Sequence, residues 1–148
     1  MRLKLTVGAV ITAVVALLAF QTQLAAHHAF AAEFDEKKPV KFTDATVTRV
    51  QLINPHSWIH VDVKMPDGTV ENLAIEAGSP NILLRRGITK DTLKVGQKLI
   101  VDGYQSKDGS RRANGRDLTL PDGTKLFLGT SGDAAPYEVQ RPGIDTKK

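Results

Sequence analysis

Short alternating segments separated by Asp-Gly turns constrain the fold of this chain more than any other sequence feature. Asp-Gly occurs at residues 67–68, 108–109 and 122–123, and Val95-Gly96 marks a further turn. Glycine adopts the positive φ that tight hairpins require, and apolar residues that alternate with polar ones are typical of strands. The pattern predicts strands at residues 45–53, 57–65, 69–77, 97–105, 111–120 and 125–128.

One segment interrupts this period of two. Ser79 is followed by Pro80, and three apolar residues at 82–84 precede two arginines and Gly87. A capping serine, proline in the first turn, basic residues in the last turn and a terminal glycine favour a helix of about two turns. We expect this helix to close one end of the β structure with residues 82–84, and we expect a weaker helical turn at residues 90–93.

These elements predict a mainly β fold, a small antiparallel Greek-key barrel of the oligonucleotide/oligosaccharide-binding type with one short helix. The barrel is expected over residues 44–129. Residues 27–43 are predicted to form an N-terminal arm and residues 130–148 a flexible tail. Such barrels serve many unrelated functions, so the architecture alone assigns none.

The first 26 residues have the three regions of a secretory signal peptide. A basic start at residues 1–4 precedes an uncharged apolar run at 5–20 and a short polar-to-small stretch at 21–26. Cleavage after Ala26 makes His27 the new N-terminus, whereas cleavage after Ala31 removes both neighbouring histidines. We predict a periplasmic or secreted protein. The alternative is that the signal segment stays uncleaved, in which case this segment alone would contact the membrane.

Charge and cysteine content exclude several classes of function. Loss of Arg2 and Lys4 with the signal peptide leaves 18 basic and 16 acidic residues, which lowers the formal charge from +4 to +2. A nearly neutral chain does not have the dense positive charge that nucleic-acid binding requires. The absence of cysteine excludes disulfides, cysteine-ligated metals and thiol catalysis.

The four histidines fall into two clusters, His27-His28 and the pair His56 and His60. Imidazole binds copper, zinc and nickel, and an N-terminal histidine adds its free amine, so the pattern predicts a site for copper(II) or another divalent metal. Along an ideal strand His56 and His60 lie about 13 Å apart. The site therefore pairs His27 or His28 with one of them, or Asn54-Pro55 bends the chain so that His56 folds back.

Trp58 lies out of phase with the predicted core. Ile59 and Val61 belong to one face of their strand, and Trp58 shares the other face with His60. This polar face predicts a surface for a ligand or an envelope protein partner. The residues predicted for that surface are Asn54, Trp58, Arg85, Arg86 and Arg112.

Each of these features also has a purely structural interpretation. His27-His28 is then a solvated terminus, and His56 forms hydrogen bonds within a turn. His60 is an exposed residue on the sheet face, Trp58 covers the edge of the barrel, and the arginines form a solvated rim.

No catalytic arrangement is evident, and the chain is expected not to be an enzyme. The acidic residues Glu33, Asp35, Glu36, Asp62 and Glu76 show no spacing that singles out an acid–base pair. An enzymatic function would require a pocket that joins Glu76 or Asp62 to a histidine.

Four segments in order resemble a family of small exported bacterial proteins that is a domain of unknown function. The segments are His-His-Ala-Phe-Ala-Ala-Glu-Phe-Asp at 27–35, Asn-Pro-His-Ser-Trp-Ile at 54–59, Gly-Ser-Pro-Asn-Ile-Leu-Leu-Arg-Arg-Gly at 78–87 and Asp-Gly-Ser-Arg-Arg-Ala-Asn at 108–114. The resemblance implies an exported protein with a compact β fold and supplies no activity.

The chain is also loosely similar to periplasmic copper carriers that hold copper(I) with histidine, methionine and tryptophan in a small barrel. Trp58 beside His56 or His60 is similar to the tryptophan and histidine of that copper(I) site. The predicted mature chain departs from that pattern because its single methionine, Met65, lies on the apolar face. We therefore expect a non-enzymatic exported module that binds divalent copper, or alternatively an envelope interaction protein that needs no metal.

Overall fold

The computed structural model describes residues 29–129, which form six strands and two short helices. In chain order these are α1 (Ala29–Glu33), β1 (Phe34–Gln51), β2 (Ser57–Lys64), β3 (Val70–Ala77), α2 (Pro80–Arg85), β4 (Lys98–Ser106), β5 (Arg112–Thr119) and β6 (Lys125–Phe127). Within this range no helix is long and apolar enough to cross a membrane. The predicted signal peptide and tail lie outside the described residues.

The strands form one sheet in the order β3-β2-β1-β4-β5-β6, and neighbours in this order are antiparallel. An additional parallel pairing joins β3 to β5, where Ala74, Ile75 and Glu76 face Arg112, Ala113 and Asn114. The first five strands are therefore connected in a ring of pairings. The prediction of a mainly β, antiparallel chain is confirmed, with a second short helix, α1, added to the one expected.

Strand β1 is much longer than the sequence pattern indicated. It begins at Phe34 rather than at Ala45, and it includes most of the segment predicted as an N-terminal arm. Four consecutive charged residues at 35–38 interrupt the alternation of apolar and polar residues, so the pattern does not predict this part of the strand. They lie where the pairing of β1 with β4 shifts register, between Phe34 and Pro39. Beyond it the alternation resumes, and Val40 pairs with Gly103 of β4.

The helix predicted after Ser79 is present as α2, with proline in its first turn. The Ser79 side chain makes no capping hydrogen bond; its carbonyl instead accepts the backbone N–H groups of Ile82 and Leu83. Leu83 is fully buried against the sheet, whereas Leu84 is half exposed. Of the three apolar residues expected to close the β structure, Leu83 is therefore the one that enters the core.

Two apolar clusters hold the strands and helices together. The larger cluster contains the alternating residues Ile59, Val61 and Val63 of β2 together with buried residues of β1, β3, β4, β5 and the α2 segment. The smaller one joins α1 to the sheet, since the ring of Phe30 packs on Phe34 and edge-on against Tyr104. Burial of Phe30 thus fixes the position of α1.

Two glycines allow strands to approach closely, Gly103 between β4 and β5 and Gly115 between β5 and β3. Gly103 pairs directly with Gly115, next to a register shift at Asp102. A Cβ atom on Gly103 would collide with the carbonyl oxygen of Asn114, and one on Gly115 would lie 2.8 Å from Cγ2 of Ile75. The ring of strands leaves no space for a side chain at either position.

We expect Gly103→Ala to lower the free energy of unfolding by about 2 kcal/mol or more, because backbone must move to accept the methyl group. Gly68→Ala is the matched control. Gly68 has a φ of 87° and nothing within 4 Å of an added Cβ, so we expect only the cost of a left-handed backbone, about 1 kcal/mol. Urea denaturation of both variants measures the difference, and equal losses would contradict the close approach.

Candidate functional site

A shallow depression of about 400 Å³ lies where α1, the turn after β1, and strands β2, β3 and β5 meet. The turn contains a cis peptide bond between Asn54 and Pro55. The lining residues are Glu33, Ile53, Asn54, Pro55, His56, Trp58, Glu76 and Arg112. Three of the predicted surface residues and one predicted metal ligand therefore share one depression.

His56 and Glu76 form the central contact of this depression. The imidazole Nδ1 of His56 is hydrogen-bonded to Oε1 of Glu76. Glu76 is only 7% exposed, whereas the His56 side chain is 28% exposed. Within residues 29–129 the Nε2 atom of His56 has no hydrogen-bond partner. The pair therefore presents one free ring nitrogen beside a buried carboxyl group.

Burial raises the pKa of the Glu76 carboxyl above the usual value for glutamate, because the ionised form loses solvation. The nearby His56 opposes this rise by charge attraction and by its hydrogen bond. Glu33 reinforces the rise through like charge, and Arg112 opposes it. The pKa of the carboxyl at the base of the depression therefore reflects burial, which raises it, against the interaction with His56, which lowers it.

Trp58 lies next to this pair on the strand face opposite the core. In the sheet register it is directly across from Glu76 on one side and from Gln51 on the other. Its side chain is half-buried, while its neighbours Ser57 and Ile59 are buried on the core face. The indole therefore forms a wall of the depression.

His60 lies farther along β2 and outside the lining of the depression. Its Nε2 atom is 2.8 Å from Oε1 of Gln51, a side-chain hydrogen bond between neighbouring strands. The structure therefore brings His56 together with Trp58 and does not bring His60 into the same group.

His27 and His28 lie outside the described residues. The helix that follows them, α1, contacts β5 at the edge of the depression. Glu33 of α1 forms an ion pair with Arg112 of β5 at 3.2 Å, and its carbonyl accepts the backbone N–H of Lys107. Among residues 29–129 no three His, Asp or Glu side chains are grouped to hold a metal ion.

The predicted basic surface is largely engaged within the chain itself. Arg86 donates to the carbonyl of Gly129 and lies over the ring of Phe127 at 4.5 Å. Arg112 contacts Glu33, Asp108 and Ser110. Arg85 is exposed at the end of α2. Arg86 and Arg112 therefore hold structural elements in place.

Glu76 is the site residue that sequence reasoning did not single out. The sequence presented it as one of several carboxylates without a distinctive spacing, and as one of two that an enzymatic function would require beside a histidine. The available signal was its position as the only charged residue in the apolar run from Leu73 to Ala77. A lone carboxylate in a strand with buried residues on either side implies a partner for its charge.

We expect the Glu76 carboxyl to titrate above the usual range for glutamate in a carbon-13 NMR titration of the side-chain carboxyl groups. His56→Ala should raise the pKa further, because the opposing charge is removed, and Glu33→Gln should lower it. A midpoint at or below the ordinary value, or a decrease in His56→Ala, would contradict the burial of this group.

Comparison with known proteins places the chain in a family. Neither the curated proteins nor the solved structures contain a match to it. A family model described as "Family of unknown function (DUF6152)" matches residues 14–115. This match confirms the resemblance to a family defined as a domain of unknown function. The chain belongs to the DUF6152 family of unknown function.

Proposed function

We propose that this protein is an exported, non-enzymatic binding module that holds copper(II) or another divalent metal at His56. The observation that carries the proposal is the hydrogen bond from the His56 ring to the buried carboxyl of Glu76. Histidines that ligate metals commonly bond through their second nitrogen to a carboxylate, which fixes the ring orientation and increases the basicity of the ligating nitrogen. Nε2 of His56 is the ligand in this arrangement.

The remaining protein ligands come from His27 and His28. Helix α1 spans five residues, about 7 Å at the rise of an α-helix, and its last residue, Glu33, borders the same depression as His56. His28 directly precedes this helix in the chain. Cleavage after Ala26 adds a free amine to the His27 imidazole, and nitrogen ligands of this kind favour copper(II).

Geometry supports a nitrogen and oxygen site rather than the thioether site of copper(I) carriers. Met65 lines a different depression, at the far end of β2 from His56. His60 is bonded to Gln51 and contributes to the polar face of the strand. We therefore assign the role of ligand to His56 in preference to His60.

We further propose that the ring of strands is a small Greek-key barrel of the oligonucleotide/oligosaccharide-binding type. The order of pairings, with β3 parallel to β5, supports this assignment. Such barrels bind ligands on the face of strands 2 and 3 and in the loop between strands 1 and 2. His56, Trp58 and Glu76 occupy those positions.

The proposal requires that residues 1–26 act as a cleaved signal peptide and direct the protein to the periplasm or out of the cell. We expect the intact mass of the protein recovered from the exported fraction to correspond to a chain that begins at His27. A chain that begins at Ala32 would remove both N-terminal histidines and contradict the proposed ligand set. A full-length mass would indicate an uncleaved membrane anchor.

We expect calorimetric titration of the exported protein with copper(II) to show stoichiometric binding. His56→Ala and His28→Ala should each weaken it at least tenfold. Glu76→Gln should weaken it by about 10- to 100-fold, because the ligating ring loses its orienting carboxylate. His60→Ala is the matched control, because His60 is a half-buried histidine on the strand that follows His56, and it should leave the affinity unchanged.

Equal effects of His56→Ala and His60→Ala, or weak binding in every variant, would contradict the metal proposal. The alternative is an envelope interaction protein that uses Trp58 and the arginine surface without metal. Ile53, which is half exposed, lines the same depression as Trp58. A crosslinked partner that is retained in the presence of a chelator and lost in Trp58→Ala would favour that alternative.

A further inference from the structure

A second recess opens where β1 and β2 separate. Their pairing ends at Ala45 and Val63. Beyond this pair Phe42 continues in register with β4, whereas Lys64 continues in register with β3. The β1–β4 register also shifts between Phe42 and Ala45, as at a bulge. The two strands therefore diverge and leave an apolar groove in the wall of the sheet.

The groove has two adjoining lobes of about 530 Å³ and 220 Å³. Val40, Phe42 and Met65 line both lobes, and each is only partly buried. The buried residues Val63 and Leu73 belong to the larger and the smaller lobe, respectively. The larger lobe has the volume of a small-molecule site, and the shared residues make the two lobes one continuous apolar surface.

Positive charge borders the larger lobe. Lys64 is exposed and forms no ion pair or hydrogen bond with the described part of the chain. Lys41 is exposed and lies 3.7 Å from the partly buried Asp102, a long ion pair of little strength. The one carboxylate that lines this lobe, Asp44, is already bonded to Lys98. A negative group at this rim would therefore find an unpartnered ammonium.

We propose that this groove binds a free fatty acid. The alkyl chain lies along Phe42 and Met65, and its carboxylate is bound by Lys64 with Lys41 nearby. Two adjoining apolar lobes suit an unbranched chain, whose burial removes apolar surface of both ligand and protein from water. The groove contains none of the proposed metal ligands. Arg112 lines both its smaller lobe and the depression at His56, and the two proposals rest on different residues.

The test uses a fluorescent polyene fatty acid as the probe and the purified full chain. We expect saturable binding at one site, with displacement by dodecanoate. Met65→Asp places a carboxylate in the groove and should weaken binding at least tenfold. Val95→Asp is the matched control, because Val95 is 72% exposed in a turn outside the groove, and should bind as the unmodified protein does.

A surface substitution tests the role of the rim without altering the apolar contacts. Lys64→Glu should weaken displacement by dodecanoate about fivefold or more and leave displacement by dodecanol unchanged, because only the acid carries charge. Lys125→Glu, an exposed lysine on β6, should have no effect. Circular dichroism checks that each variant is folded.

Several results would overturn the proposal. They are no saturable binding of the probe, equal effects of Met65→Asp and Val95→Asp, or a Lys64→Glu variant that behaves like Lys125→Glu. Loss of binding in His56→Ala would place the ligand at the other depression and would equally contradict the groove.

Discussion

The close approach of β4 and β5 is the constraint on which the rest of the structure depends. Gly103 pairs with Gly115, and a Cβ atom on Gly103 would collide with the carbonyl oxygen of Asn114 in β5. A Cβ atom on Gly115 would collide with Ile75 of β3, so β5 also lies close to β3. This approach lets β5 lie between β4 and β3, where it pairs in parallel with β3 through Ala113 and Asn114. Without that pairing the sheet would have two open ends, and the end of β3 would have only one neighbour.

The candidate site follows from this closure. Glu76 is near the end of β3, and β2 on one side and β5 on the other bury it. Burial makes ionisation of the carboxyl unfavourable, and the ring of His56 compensates as a hydrogen-bond partner. Arg112 of β5 also binds Glu33 of α1, so the same strand that buries the carboxyl attaches the N-terminal helix.

The groove arises at the place where β1 and β2 stop pairing. β1 is long enough to pair with both β2 and β4, but over Val40 and Phe42 it pairs only with β4. The gap leaves apolar side chains partly exposed beside Lys64, which has no ion-pair or hydrogen-bond partner among residues 29–129. The depression and the groove therefore have different physical origins. One follows from tight closure and the other from separation of two strands.

The sequence by itself determined the strands from β2 to β6 and the short helix α2, because turns, alternation and helix signals are local properties. Four sequence segments also indicated membership of a family of unknown function. It also indicated that Trp58 lies on the face opposite Ile59. Only the tertiary structure decided that β1 extends back to Phe34, because charged residues interrupt its alternation. It also decided that His56, not His60, joins Glu76, since that contact depends on how strands distant in sequence are paired.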